Sequence, residues 1–226
     1  MSSFKLRRLA TILAVTTLTL SLLAALTGTL LAFYYGPSAG GAHDSITQIV
    51  KEVPSGWLIQ SLHNIAGNGL IAVSLVQIVV MFLGRKFRFA WLTAWVSGIL
   101  LSLSAIALGW TAMSLDWTQL GYWRLSLELG TIKAIPLIGR QLQEILTGGG
   151  AIGTITLKHM YALHSYIFSI GAILLSILHL LGLLVQERQK QVEVLVVQSR
   201  TVEPPQPGQA TPDKQEFGQP KPFGIA

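Results

Sequence analysis

The stretch GWLIQSLHNIAGNGLIAVSLVQIVV, residues 56–80, places one histidine, His63, inside a run of predominantly apolar residues. A helix needs about 20 such residues to cross the hydrocarbon core of a bilayer, and this run is long enough. An ionisable side chain at that depth is costly and is a functional hypothesis by default. The simpler alternative for one isolated histidine is a neutral imidazole bonded to a neighbouring helix, so the rest of the chain has to decide between the two.

The composition indicates a membrane protein. Of 226 residues, 51% are hydrophobic and only 12% are charged, which is too apolar for an ordinary soluble domain. The chain contains no cysteine, so disulfides, iron–sulfur clusters and thioether-linked haem are excluded. The net charge is +6, but the Lys and Arg residues stand at the ends of apolar runs, where membrane topology explains them better than a nucleic-acid partner does.

Four apolar runs are long enough to be membrane spans, and we name them A to D. They extend over about residues 9–35, 58–83, 91–115 and 160–185. The predicted fold is therefore an all-α, four-helix transmembrane bundle. For span A alone, a cleaved secretory signal is an alternative, which the length of the run disfavours because the apolar region of a signal has about 7 to 15 residues.

The basic residues predict the topology of the bundle. Clusters precede A, separate B from C and follow D, so four crossings place all of them on one face, which the positive-inside rule makes cytoplasmic. We expect an integral multi-pass membrane protein with both termini cytoplasmic and with B and D running in the same direction. The outer C–D loop, about residues 116–158, contains LSLELGTIKAIPLIGRQLQEILTGGG, which predicts short amphipathic surface helices.

The composition changes near the C-terminus. The segment VEPPQPGQATPDKQEFGQPKPFG, residues 202–224, is rich in Pro, Gln and Gly and cannot bury enough apolar surface to fold. We therefore predict a transmembrane domain over residues 1–190 and a disordered polar cytoplasmic tail over residues 191–226.

Three of the five histidines lie inside spans. His63 on B and His164 on D are at similar depths near the outer face, and two neutral imidazoles facing each other from separate helices are the usual way to hold a b-type haem without a covalent link. They are the predicted metal ligands. His179 lies about 22 Å deeper on D, and the residue of B at that depth is Gln77.

Several motifs together resemble the cytochrome b6 and N-terminal cytochrome b family. They are FYYGP at residues 33–37, GWLI followed by His63, SLDWTQLGYW at residues 114–123, AIPLIG at residues 134–139, and LH at residues 163–164 with His179 further along the same span. The resemblance implies an outer low-potential haem held by His63 and His164 beside Gly28, and an inner high-potential haem for which only His179 remains as a ligand.

The chain departs from the family pattern mainly at the inner site. The family's inner histidine of span B is Gln77, and a nearby arginine is Val80. At the outer site, the arginine shortly before the histidine is Gln60, which leaves a haem propionate without a bidentate cation; Lys158 and His159 are alternative partners. Further departures are Ala14 and Ala112 in place of glycines and Ile12 in place of a cysteine that tethers an additional haem.

The resemblance therefore implies a membrane electron-transfer subunit with one bis-histidine haem b near the outer face, in a quinone-linked, photosynthetic or respiratory chain. The cofactor-binding residues would be His63, His164, Gly28, Gln60 and His179, and none would be catalytic. We expect other membrane subunits as partners, in a thylakoid or plasma membrane, and an inner cavity filled by side chains, lipid, pigment or quinone. The alternative is a redox-inactive paralogue that acts as a structural or assembly subunit.

Overall fold

Helices form all the regular structure of the computed structural model over the residues it describes, 3–84 and 92–202. The helices are α1 (Ser3–Ala32), α2 (Ala42–Lys51), α3 (Gly56–Gly84), α4 (Leu92–Leu115), α5 (Gln119–Lys133), α6 (Gly139–Thr147), α7 (Thr154–Ala162), a π-helical turn (Leu163–Phe168) and α8 (Ser169–Val202). Four segments are long and apolar enough to cross a membrane. The predicted all-α transmembrane bundle is confirmed.

The spans correspond closely to the predicted runs. Spans A, B and C are α1, α3 and α4, whereas span D consists of α7, the π-helical turn and α8, which form one continuous segment from Thr154 to Ser199. That segment has 46 residues, about twice the length that a bilayer requires. The basic cluster between B and C, Arg85, Lys86 and Arg88, lies outside the described residues.

Small and hydroxyl-bearing residues bring the spans together, as is usual where lipid removes the hydrophobic drive for helix association. The Ser21 and Ser176 hydroxyls of α1 and α8 lie 3.1 Å apart. The Ser102 hydroxyl of α4 donates to the Ser74 carbonyl of α3 at 3.3 Å. These buried contacts fix the helices near the middle of the bundle.

The segment between α4 and α7 contains two short helices, as predicted. Thr118 caps α5 by accepting a hydrogen bond from the Gly121 amide at 3.1 Å. Helix α6 ends at Gly148, whose φ of 77° is in the left-handed region that favours glycine. The sequence did not predict α2, which lies between α1 and α3 and begins with Ala42, a buried residue.

Two clusters of buried apolar residues lie on either side of a cavity. The inner cluster consists of Ala10, Ala14, Val80, Met81, Ala94, Trp95 and Leu183. The cluster on the α5 side, which we call the outer cluster, consists of Ala42, Leu115, Leu125, Leu129, Leu157 and Met160. The cavity between them contains the predicted metal ligands.

The chain divides into two compact units, Met1–Glu187 and Arg188–Ala226. The first contains the bundle. Of the second, the described part is the C-terminal portion of α8, which continues to Val202. The predicted tail begins at residue 191, and residues 203–226 lie outside the described residues, so the predicted boundary at 190 and 191 stays a prediction.

Candidate functional site

His63 of α3 and His164 of the π-helical turn face each other across the cavity. Their ring centroids are 6.2 Å apart and the ring planes make an angle of 57°. Imidazole nitrogens bond a transition metal at about 2 Å, so two imidazoles on opposite sides of one metal atom have centroids roughly 6 Å apart. The spacing of the two rings therefore fits one metal ion between them.

Backbone carbonyls determine which nitrogen of each ring faces the cavity. Nδ1 of His63 lies 3.0 Å from the Ala24 carbonyl of α1, and Nδ1 of His164 lies 3.1 Å from the Leu108 carbonyl of α4. Because a carbonyl oxygen only accepts, each Nδ1 carries the proton and donates it. Both Nε2 atoms consequently keep their lone pairs, as metal ligation requires.

Two threonines repeat the same local arrangement beside the two rings. Oγ1 of Thr27 lies 3.2 Å from Nδ1 of His63, and Oγ1 of Thr111 lies 2.9 Å from Nδ1 of His164. Each hydroxyl donates its own proton to a carbonyl of its helix, so it accepts from the imidazole. Neither threonine stood out in the sequence, although Thr27 directly precedes Gly28.

The cavity has a volume of about 730 Å³, which is within the range of cofactor sites. Small residues of α1 and α4 form two of its walls, and these are Ala24, Ala25, Gly28, Ala105, Gly109 and Ala112. These small residues help to leave space of cofactor size beside the histidine pair.

Gly28 lies against the His63 ring. A Cβ atom at this position would be 2.9 Å from Cε1 of His63, closer than non-bonded carbon atoms approach. The glycine thus leaves room for the imidazole that the Ala24 carbonyl orients one helical turn earlier. This assigns Gly28 a role in positioning His63 beside the cavity.

Gln60 also lines the cavity, one turn before His63 on α3, together with Asn64 and Asn68 at later turns. These amides give the α3 wall a neutral polar stripe. Neither Lys158 nor His159 lines the cavity, and Nδ1 of His159 instead lies 2.8 Å from the Ile145 carbonyl. The alternative cation partners that the sequence suggested are therefore not brought to the site.

Two titratable groups lie at the outer end of the cavity. Burial raises the pKa of Asp116, and the nearby His43 opposes that rise. Burial and then the Asp116 charge raise the pKa of Tyr35 well above its usual value, and its hydroxyl donates to the Leu115 carbonyl at 2.8 Å. Burial is therefore the main cause of the raised pKa of both side chains at this end of the cavity.

His179 lies apart from the other two histidines, in a closed part of the bundle. It is 0% exposed and Gln77 is 1% exposed, and Nε2 of His179 is 2.9 Å from Nε2 of Gln77. Nδ1 of His179 donates to the Ala94 carbonyl at 2.8 Å. A Cβ at Gly98 would be 2.8 Å from Cε1 of this ring, so the inner histidine repeats the orientation of the outer pair but not their access to a cavity.

The π-helical turn explains the unequal spacing of the polar residues on α3 and span D. His164 and His179 are one position further apart in the sequence than His63 and Gln77 are on α3. The π-helical turn begins at Leu163 and ends at Phe168, and such turns accommodate one additional residue in a helix. Span D therefore presents its two histidines to the same two levels as α3.

Comparison with known proteins identifies relatives of the whole bundle. The family described as cytochrome b/b6/petB matches residues 3–187. The cytochromes b6 of Auxenochlorella protothecoides and Synechococcus elongatus are both 33% identical over 165 residues, which are 73% of this chain and 77% of each relative.

A solved structure shares the fold as well. A chain of a hyperthermophilic respiratory complex III superposes with a TM-score of 0.61 and 26% sequence identity over 78% of this chain. The match covers 47% of that chain, so the present sequence spans about half the length of the respiratory subunit.

Proposed function

Because the chain belongs to the cytochrome b/b6 family, in which it is a membrane electron-transfer cytochrome b-like subunit, we propose that it binds a single haem b between His63 and His164. The haem would lie in the outer half of the bundle. The observation that carries this proposal is the pair of facing imidazoles, 6.2 Å apart between centroids, on either side of a 730 Å³ cavity.

The donor set supports iron in a porphyrin rather than a metal held by protein groups alone. Within the described ranges, 3–84 and 92–202, no group of three or more His, Cys, Asp or Glu side chains is placed to hold a metal ion. Two axial imidazoles complete a coordination sphere only when another group supplies the remaining ligands. When bound, haem supplies those ligands and an iron that exchanges one electron between its ferric and ferrous states.

The residues around the cavity orient the axial ligands. The Ala24 and Leu108 carbonyls accept the Nδ1 protons, which fixes the ring orientations and raises the basicity of the ligating nitrogens. With both imidazoles in place, no open position is left for a substrate, and electron transfer would be outer-sphere. The chain would thus act as a carrier within an oxidoreductase complex rather than as an enzyme by itself.

Gln60 would offer a propionate an amide hydrogen bond in place of the family's arginine. A neutral amide gives neither the charge nor the bidentate geometry of a guanidinium. The small apolar residues of the α1 and α4 walls would surround part of the haem with an apolar environment, which is one of the factors that tune a reduction potential.

The inner pair does not fit a second haem. The nitrogen of His179 that would bind iron instead accepts a hydrogen bond from Gln77, and both residues are at most 1% exposed. We therefore propose one haem per chain, and no step of electron transfer is assigned to the inner half of the bundle.

The relatives are the basis for proposals on partners and location. The match to a respiratory complex III chain supports a place in a multi-subunit electron-transfer complex. The cytochrome b6 relatives, one of them from Synechococcus, support a thylakoid or plasma membrane and a quinone-linked chain. Quinone, lipid and pigment remain proposed neighbours of the bundle.

Quantifying haem in the purified protein tests the proposal. We expect a pyridine haemochrome ratio near one haem per chain and a reducible α band typical of a low-spin b-type haem. His63→Ala and His164→Ala should each abolish that band, because either leaves the iron with one protein ligand. The matched control is His43→Ala, an exposed histidine that does not line the cavity, and its spectrum should equal that of the unmodified protein.

Two outcomes of these measurements would contradict the proposal. A folded protein without a reducible band would support the alternative, a redox-inactive paralogue that serves as a structural or assembly subunit. An unchanged band in His63→Ala would mean that the axial assignment is wrong.

A further inference from the structure

We propose that Gln77 and His179 form a hydrogen-bonded clamp that replaces a haem and joins all four spans in the inner half of the bundle. Nε2 of Gln77 donates to the Ala10 carbonyl of α1 at 2.9 Å and to Nε2 of His179 at 2.9 Å. Nδ1 of His179 donates to the Ala94 carbonyl of α4 at 2.8 Å. One chain of hydrogen bonds thus runs through α1, α3, α8 and α4.

The partners determine the proton positions in this clamp. The Ala10 and Ala94 carbonyls can only accept, so the atoms facing them are the Gln77 amide nitrogen and the protonated Nδ1 of His179. Nε2 of His179 is then the acceptor, and the two amide protons of Gln77 serve two different acceptors. Exchanging the amide oxygen and nitrogen of Gln77 would place two oxygens 2.9 Å apart, so the arrangement has only one consistent orientation.

The clamp uses the atom that iron would need. Two nitrogens on opposite sides of one metal are about 4 Å apart, because each metal–nitrogen bond is about 2 Å long. The Nε2 atoms of Gln77 and His179 are 2.9 Å apart. Iron therefore cannot enter between them unless the helices separate.

The packing around the clamp leaves no room for a porphyrin. Ala14, Met81 and Leu183 share a buried cluster with Ala10 and Ala94, and each is 0% exposed. A cavity at this level would make such side chains accessible, as the outer cavity does for His63 and His164, which are only partly buried. Val80, which replaces the family's arginine, packs into the same apolar cluster and cannot pair with a propionate.

Gln77 and His179 would take over the structural role of a haem at this level, in addition to occupying the positions of its ligands. A cofactor normally ties the helices around it together, and here Gln77 and His179 do so without one. The inner half of the bundle would consequently hold its structure independently of haem supply. On the proposed function, electrons would also enter and leave on the outer half of the molecule only.

A double-mutant cycle on the purified protein tests the clamp directly. Gln77→Leu and His179→Leu should each lower the denaturant midpoint, because each leaves a buried polar partner unsatisfied. The double variant should lose less than the two separate losses combined, since both partners are then apolar. The control cycle pairs Gln77→Leu with Thr156→Val, a buried hydroxyl that bonds the Thr147 carbonyl, and should be additive.

A haem titration provides the second measurement. The unmodified protein and His179→Leu should saturate at the same haem ratio, and Gln77→His should not increase it, since the packing stays closed. A ratio that falls by one haem in His179→Leu, or an additive Gln77 and His179 cycle, would overturn the clamp.

The two proposals fail in different ways. If the protein contains no haem at all, the proposed outer site is wrong, yet the coupling between Gln77 and His179 still decides whether the clamp exists. If the cycle is additive while His63→Ala removes the haem band, the outer site stands and the clamp is rejected.

Discussion

Three histidines in the spans share one hydrogen-bond geometry and differ in what faces the second nitrogen. Nδ1 of each donates to a backbone carbonyl, of Ala24, Leu108 or Ala94. For His63 and His164, Nε2 is left to a cavity, whereas for His179 it accepts from Gln77. Gln77 of α3 and His179 thus form a hydrogen-bonded pair, whereas His63 and His164 have a cavity between their imidazoles.

Gly28→Ala should weaken haem binding without removing a ligand. The added Cβ would be 2.9 Å from Cε1 of His63, so either the ring or α1 must shift, and the Nδ1 bond to the Ala24 carbonyl is then lost or distorted. Disturbing such an orienting bond typically costs roughly 10- to 100-fold in metal affinity. We expect a loss of haem affinity of that order, measured by haem titration in detergent.

The control for this substitution is Gly171→Ala on α8. A Cβ at that position would meet nothing within 4 Å, so haem affinity should stay unchanged. Equal affinities for both variants would show that the close approach of Gly28 to His63 has no role in binding.

The four membrane-spanning helices were predictable from the sequence, because the length and hydropathy of an apolar run indicate whether it crosses a bilayer. All four spans were confirmed, and the short helices between C and D were confirmed as well. The π-helical turn was not predictable, since a helix with one additional residue has the same apolar composition as a regular one. Its only sign was that His164 and His179 are further apart along span D than His63 and Gln77 are along α3.

The site was only partly predictable, for a related reason. His63, His164 and His179 stood out as ionisable residues in apolar runs, and Gln77 stood out by its depth. The closed packing at Gln77 and the partners of each Nδ1 depend on which residues of separate helices meet. A single sequence does not show which residues of separate helices are in contact, so neither feature could be predicted from it.

The π-helical turn yields a prediction about deletions. Removing Ile167, an exposed residue of that turn, should convert it into a regular α-helix and give His164 and His179 the same separation that His63 and Gln77 have on α3. We therefore expect the haem spectrum to survive the deletion, even though Ile167 lies in the same turn as His164, a proposed ligand of the haem iron. Optical spectra of the purified variant measure this.

Deletion of Val76 from α3 is the matched control. Val76 is also exposed, but α3 is a regular helix, so the deletion rotates His63 relative to Gln77 by about 100°. That variant should lose haem or fail to accumulate. Loss of haem in the Ile167 deletion as well would show that the turn itself, and not only the register, is required.

At the scale of the whole molecule, the basic clusters predict which face is which. Because the chain has no cysteine, a thiol reagent can react only with an introduced one. Leu137→Cys and Phe87→Cys therefore report separately on the segment between spans C and D and on the segment between spans B and C. Leu137 is 95% exposed in the segment between α5 and α6, and Phe87 stands among Arg85, Lys86 and Arg88. If the chain lies in the plasma membrane, an impermeant maleimide added to intact cells should label only Leu137→Cys, and labelling of Phe87→Cys instead would reverse the topology.

The asymmetry of the bundle predicts that the rate of haem oxidation depends on the side of the membrane from which an oxidant is added. The cavity with His63 and His164 lies towards the face of the α5 and α6 segment, and the Gln77 and His179 clamp occupies the level below it. In sealed vesicles whose orientation is known from the cysteine labels, dithionite-reduced haem should be oxidised rapidly by impermeant ferricyanide added on the Leu137 side. Ferricyanide added on the Phe87 side should oxidise the haem only slowly, because the half of the bundle on that side would hold no redox cofactor to carry the electron. Equal rates from both sides would require a second redox centre in the inner half, and would therefore contradict the single-haem arrangement.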